Sequence, residues 1–118
     1  MWNEIDKYNY TYTCPKTGII YDLIVGKNKY DNWKIIDESD ENDYWFHLED
    51  CPSVHVIVHN NDKNYKIDKG LIKFASWLCK KKSKKENEKI SIVYTQIKNI
   101  SKATQIGSVY MKSWKTYL

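Results

Sequence analysis

The 118-residue chain contains no arginine: all nineteen of its basic residues are lysine. That removes the planar guanidinium fork, and with it bidentate recognition of phosphate or guanine and any arginine finger. Alanine is scarce while asparagine and isoleucine abound, a bias of AT-rich genomes that suits a large DNA virus or a low-GC microbe. Four glycines and two prolines provide no flexible linker, and Gly26 and Gly107 stand too far apart to form a glycine-rich phosphate loop. The three cysteines, Cys14, Cys51 and Cys79, are odd in number, widely spaced and without a CxxC pair. A disulfide framework is therefore not expected, and a reducing, cytoplasmic setting fits better, that of the host cell if the chain is virus-encoded. No apolar run approaches the roughly 18 residues of a membrane span. The start, MWNEIDKYNYTYTCP, has acids and tyrosines where a signal peptide has a basic and then an apolar region. Internal repeats are absent, and a second domain would need roughly 50 further residues, so one domain over 1–118 is expected.

The formal charge of +4 conceals a division. Residues 1–60 hold five lysines against eleven acids, a balance of −6, and residues 61–118 hold fourteen against four, a balance of +10. Such asymmetry suits a polyanion partner for the second half, and it equally suits a lysine-coated soluble surface.

Periodicity gives an α+β chain of about six strands and two helices in the order ββαββαββ, a mixed or antiparallel sheet. Tyr8, Tyr10 and Tyr12 alternate on one strand face. Pro15 and Gly18 then supply a turn into the β-rich run IIYDLIVG. Asn28 is placed to cap a helix from Lys29 to Asp37 with Tyr30, Trp33 and Ile36 on one side. Residues 37–43, DESDEND, read as a solvated loop. YWFHL (44–48) and VHVIVH (54–59) read as strands, with NNDKN as the turn that follows. Asp68 is placed to cap a helix from Lys69 to about Lys82, with Leu71, Ile72, Ala75, Leu78 and Cys79 on its inner face. ISIVYT (90–95) is a strand, QIKNISKATQIG a basic loop, and SVYMKSW the last strand.

His47, Cys51, His55 and His59 lie within thirteen residues, a zinc-like composition. Strand spacing sets His55 and His59 about 13 Å apart, so no metal site and no cofactor is expected. Asp43, Ser53 and His55 are the residue types of a nucleophilic triad, yet no GxSxG elbow surrounds Ser53, and the sequence assigns no catalytic residue. Better supported is nucleic-acid binding. Lys80, Lys81, Lys82, Lys84 and Lys85 form one dense patch, with Lys98, Lys102, Lys112 and Lys115 in the same half. Tyr94, Tyr110 and Trp114 are candidate base-stacking residues, for which core packing is the alternative.

Three motifs in order resemble the NFACT-R domain over roughly residues 10–113. YDLIVGKNKYDN is similar to its opening motif through Val25, Gly26, Lys27, Asn28 and Asn32. NDYWFHLEDCPSVHVIVHN resembles its central signature through Asp43, Trp45, His47, Ser53, His55 and Val56. VYTQIKNISKATQIGSVYM resembles the closing motif through Tyr94, Thr95, Asn99, Lys102, Gly107 and Val109. The chain departs in Lys27, where the family often has arginine, in Asp31, commonly Glu or Gln, and in Pro52, where a glycine-containing turn is usual. The resemblance implies a stand-alone form of an RNA-binding domain found in ribosome quality-control factors that engage the large ribosomal subunit and a tRNA. It thus implies tRNA or ribosomal RNA as partner. DNA, a ribosomal protein, or an RNA-modifying activity through Asp43, His47, Ser53 and His55 are the alternatives. If the two central strands pair, these polar side chains would cluster near Asn28 and Asn32, where the first helix's N-terminus would favour a phosphate oxygen. If His47 protonates on binding that phosphate, affinity rises below about pH 6.5.

Overall fold

The structure, a computed structural model, describes residues 1–60 and 67–118. Of the turn expected at NNDKN, all but Asn60 lies outside the described residues. The elements run β1 (Trp2–Asp6), β2 (Asn9–Thr13), β3 (Ile20–Val25), α1 (Lys29–Asp37), β4 (Tyr44–Leu48), β5 (Val56–His59), α2 (Lys69–Lys82) and β6 (Ile92–Gln96). A short 3-10 helix (Ile97–Asn99), β7 (Ile100–Lys102), β8 (Val109–Met111) and β9 (Lys115–Tyr117) complete the described chain. Seven strands form one sheet in the order β1-β2-β3-β5-β4-β6-β9, every neighbour antiparallel, and β7 and β8 pair as a separate hairpin. The fold class is α+β.

Local chemistry sets these elements. Gly18, at φ 74°, makes the tight turn between β2 and β3, where its amide donates to the Cys14 carbonyl at 2.8 Å. The Asn28 side chain caps α1 by accepting from the Asp31 amide at 2.9 Å. Asp68 caps α2 in the same way through the Leu71 amide at 2.9 Å.

The sheet has two apolar faces and carries a layer on each. On one face Tyr10, Tyr12, Leu23, Phe46, Val56 and Val58 meet Leu71, Phe74, Ala75 and Leu78 of α2. On the other, Trp45, Ile57 and Val93 are covered by Ile35 of α1 and by Ile97, Ile100, Val109 and Met111. Each fully buried large side chain contributes about 1.5–3 kcal/mol of transfer free energy, so the central strands carry most of the stability.

Three strands were not expected from sequence. β1 is exposed along its whole length and shows no apolar alternation. β7 and β9 have three residues each, too few for a period of two to register. The expected basic loop over 96–107 therefore contains the 3-10 helix and β7, and the expected last strand ends at Met111 before the chain turns into β9. The inner face of α1 also differs. Asn32 and Ile35 are buried and Tyr30 is exposed, because the helix docks by seating Ile35 against the Trp45 and Ile57 face.

Candidate functional site

The β4–β5 register, Tyr44 opposite Val58 and Trp45 opposite Ile57, continues to place His47 opposite His55 and Asp43 opposite His59. The His47 and His55 rings meet edge-on at 5.2 Å, and Trp45 stacks on His47 at 5.4 Å. The Trp45 indole N–H donates to Nδ1 of His55 at 3.0 Å. An indole nitrogen only donates, so Nδ1 of His55 must carry a lone pair and the ring proton sits on Nε2. Burial, aided by the neighbouring His47, pushes the His55 pKa down to about 3. His47 lies 2.6 Å from the Leu48 carbonyl through Nδ1. A carbonyl only accepts, so that nitrogen donates and Nε2 is left as an acceptor. Burial lowers the His47 pKa, and the bond to Leu48 only partly opposes it. Neighbouring neutral rings thus offer one fixed donor and one fixed acceptor.

Both rings line a cavity of about 420 Å³ between the β4–β5 hairpin, the start of α1 and the loop before β8. Its apolar wall includes Val109, Met111 and the half-exposed Trp114. Asn32 lines it from α1, only 8% exposed, while its Oδ1, without a hydrogen-bond partner among the described residues, is packed against Gly26. Gly26 permits this: a Cβ there would collide with that same oxygen. Gly107, at φ 86°, packs so closely on the Lys29 backbone that a Cβ would lie 2.8 Å from its carbonyl oxygen. The Trp33 indole donates to the Ser108 carbonyl at 2.9 Å and fixes the same loop to α1.

Ser53 joins this cavity to the far helix. Its Oγ accepts from the Leu48 amide at 3.1 Å and donates to the Val54 carbonyl at 2.6 Å. Cys79 and Ser83 of the α2 C-terminal end lie 3.3 and 3.4 Å away. The C-terminal end of α2, which carries the lysine run, thus reaches the turn that walls the cavity, although Lys81 and Lys82 turn their ammonium groups to Trp77 and Tyr10 on the other face of the sheet. No hydrogen bond links Ser53 to either histidine among the described residues, and Cys79, pushed up to about 12 by burial, is an inert thiol.

The cluster expected from sequence divides. Asn32, Trp45, His47, Ser53 and His55 share the cavity. Asp43 lies four residues along β4 from His47, about 13 Å by strand rise. There it holds His59 at 2.9 Å and accepts from the amides of Asn60 and Asp40 at 2.8 and 2.9 Å. Burial works against its charge, but these donors outweigh it and lower its pKa, while the same carboxylate raises that of His59. Asn28 is committed to capping, and the Lys27 amide donates to Asp31 at 2.8 Å. The chain's own carboxylate thus occupies the α1 N-terminus where a phosphate was expected. Asn99 bonds Thr95 at 3.0 Å, Lys102 pairs with Asp37 at 2.8 Å, and the Lys98 amide donates to the Glu41 carbonyl at 3.0 Å, all away from the cavity. Lys29 and Ile106, which line it, carried no signal in the sequence beyond their neighbourhood to motif residues. Among the described residues no three His, Cys, Asp or Glu side chains group to hold a metal ion, and no helix is long and apolar enough to cross a membrane.

A family model for the NFACT protein RNA binding domain matches residues 7–113. The chain belongs to that family. As an NFACT RNA-binding domain it is a nucleic-acid-binding module, with RNA the ligand the family is defined by. It is similar to coiled-coil domain-containing protein 25 of Bos taurus, with 29% identity over 90 residues, covering 73% of this chain and 43% of that protein. It also shares a fold with the C-terminal part of the fibronectin/fibrinogen-binding protein of Streptococcus suis. There the TM-score is 0.76 at 23% identity, over 98% of this chain and 45% of the other. The chain thus spans less than half the length of either relative.

Proposed function

We propose that this NFACT RNA-binding domain binds tRNA or ribosomal RNA by seating an unpaired nucleotide in the histidine cavity, while the α2 lysines attract the flanking phosphates. The observation that carries the reading is the cavity's polar pair: a fixed N–H on His55 and a fixed acceptor on His47 beside apolar walls. Proteins read RNA sequence mainly at splayed, unpaired bases, which need hydrogen bonds at their edges and apolar or aromatic surface at their faces. Lysines add phosphate affinity without sequence information. Such a module would serve in translation or ribosome-associated quality control, in the cytoplasm.

Salt titration tests the electrostatic part. With about five phosphates neutralised, log affinity should fall against log salt with a slope of about −3.5 for single strands. Replacing Lys81, Lys82 and Lys84 with alanine should shallow that slope by about 2. His55→Asn keeps an acceptor for the Trp45 indole but, with its shorter side chain, withdraws the N–H donor from the position that Nε2 of the ring occupies. It should cost about 1–3 kcal/mol of affinity for a cognate structured RNA and leave the salt slope unchanged. A flat salt response, or RNA affinity indifferent to His55→Asn, would refute the respective half.

A further inference from the structure

We infer that the outer surface of α2 together with β1 is a stacking platform for single-stranded nucleic acid, separate from the histidine cavity. Trp2 lies opposite Tyr12 in the β1–β2 register, which puts its indole on the α2 side of the sheet. There it stacks on Phe74 at 5.1 Å and 22°, and stands 5.5 Å from Trp77. Trp77 also stacks on Phe74, at 6.0 Å and 25°. Phe74 and Tyr12 are buried and form the floor, while Trp2 and Trp77 remain 45% and 36% exposed. Between them opens a shallow hollow of about 280 Å³. Folding has thus left two adjacent indoles facing solvent above a supported aromatic layer. Exposed apolar surface of this kind marks an interaction site.

Charge selects the occupant. Lys73 lines the hollow one helical turn before Trp77, and Lys81 follows one turn after it with its Nζ 4.9 Å from the Trp77 ring. Lys82 places its Nζ 5.5 Å from the Tyr10 ring. Glu4, on the same face of β1, is held by the Tyr10 hydroxyl at 3.1 Å. A protein partner would have to cover these lysines, and interface centres are depleted of lysine. A single strand uses both features at once, its phosphates on the lysines and its bases on the indoles, without regard to sequence. The lysine now resting on Trp77 is a weak cation–π contact that a phosphate can displace. The platform and the cavity lie on opposite faces of the sheet, because Tyr12 and Phe74 belong to the α2 core while Trp45 belongs to the other.

The test compares three labelled ligands of one length by fluorescence anisotropy: a single-stranded RNA, an abasic strand and a duplex. Wild-type protein should bind the base-bearing single strand more tightly than the abasic one. Trp77→Ala should lose about tenfold for the former and less than twofold for the latter and for the duplex, whereas Trp77→Phe should retain most of the affinity. Equal binding of base-bearing and abasic strands by wild type would overturn the proposal. So would a folded Trp77→Ala protein with unchanged single-strand affinity. If Trp77→Ala instead abolishes self-association seen by light scattering and spares RNA affinity, the face is a contact between copies and the proposal fails. Ultraviolet crosslinking of the wild-type chain is independent of any folding defect. Crosslinks are expected on the peptides carrying Trp2 and Trp77, and crosslinks confined to the cavity would overturn the platform. His55→Asn reports on the cavity and Trp77→Ala on the platform, so either reading can fail alone.

Discussion

A histidine that accepts a hydrogen bond from an indole cannot take up a proton without breaking that bond. His55 is in this position and only 2% exposed. Its folded pKa near 3 against about 6.5 unfolded means that the unfolded chain binds the extra proton first. Stability should therefore fall as pH drops below about 6.5, and His55 alone accounts for about 2 kcal/mol by pH 5. His47, lowered by burial, adds in the same direction. His59 acts oppositely: its pKa is raised, so its contribution is complete below about 6.5 and fades as pH rises through its folded value. Its partner Asp43 is lowered, so that half of the pair holds above about pH 3.8 and is lost below it. Urea denaturation at pH 7 and 5 should show the net loss, His55→Asn should flatten it, and His59→Asn should steepen it. The lowered His47 pKa favours the neutral ring, and protonation would remove the Nε2 acceptor that the proposed reading uses, so no affinity gain is expected on acidification. At this scale the sequence showed which ring types sit together but not their protons, because tautomers depend on partners that only the strand register supplies. Asp43 was grouped with His47 because alternation fixes a side chain's face and says nothing of its distance along the strand.

Elements with a full period were legible: β2 through β6 and α2 follow from apolar spacing, and the caps Asn28 and Asp68 mark both helix starts, although the spacing in α1 pointed to the wrong inner face. What periodicity could not reach was the packing of irregular segments, and here the glycines discriminate. Gly18 and Gly107 both have positive φ, at 74° and 86°, but open space surrounds Gly18 while Gly107 abuts the Lys29 backbone. Gly18→Ala should cost about 1–2 kcal/mol, the strain of a left-handed residue alone, with no effect on RNA affinity. Gly107→Ala adds an overpacking penalty of about 1–3 kcal/mol. It should also push the loop before β8 off α1 and so open the histidine cavity. Thermal unfolding of the two variants, with RNA affinity measured in parallel, checks the contrast. Equal losses in both would mean that the Gly107 loop yields without disturbing the cavity.

Across the whole molecule, the −6 and +10 halves of the sequence become a polarity along the β4–β5 hairpin. The acidic loop, residues 37–43, leads into the Asp43 end of β4, and Ser53 ties the lysine-rich C-terminal end of α2 to the opposite end. Under the proposed reading a polyanion is attracted to the α2 end of the hairpin, where Glu49 and Asp50 in the cavity lining oppose the lysines. The lysines of the basic half are not equivalently placed. Lys102 pairs with Asp37, and the Lys98 amide donates to the Glu41 carbonyl, which sets that lysine beside the acidic loop. Counting charges along the chain could not separate these from Lys81 or Lys84, because the separation arises only when β7 folds back beside α1. If total charge governed binding, removing any two lysines would shallow the salt slope by about 1.4 for single strands. If position governs it, Lys98→Ala with Lys102→Ala should leave the slope within experimental error of wild type. Removing the exposed Lys102–Asp37 pair should cost at most about 1 kcal/mol of stability. Lys81→Ala with Lys84→Ala, made in the same background and titrated over the same salt range, should deliver the full change. Matching slopes for the two double variants would show that this domain attracts RNA by net charge and not by the placement of its lysines.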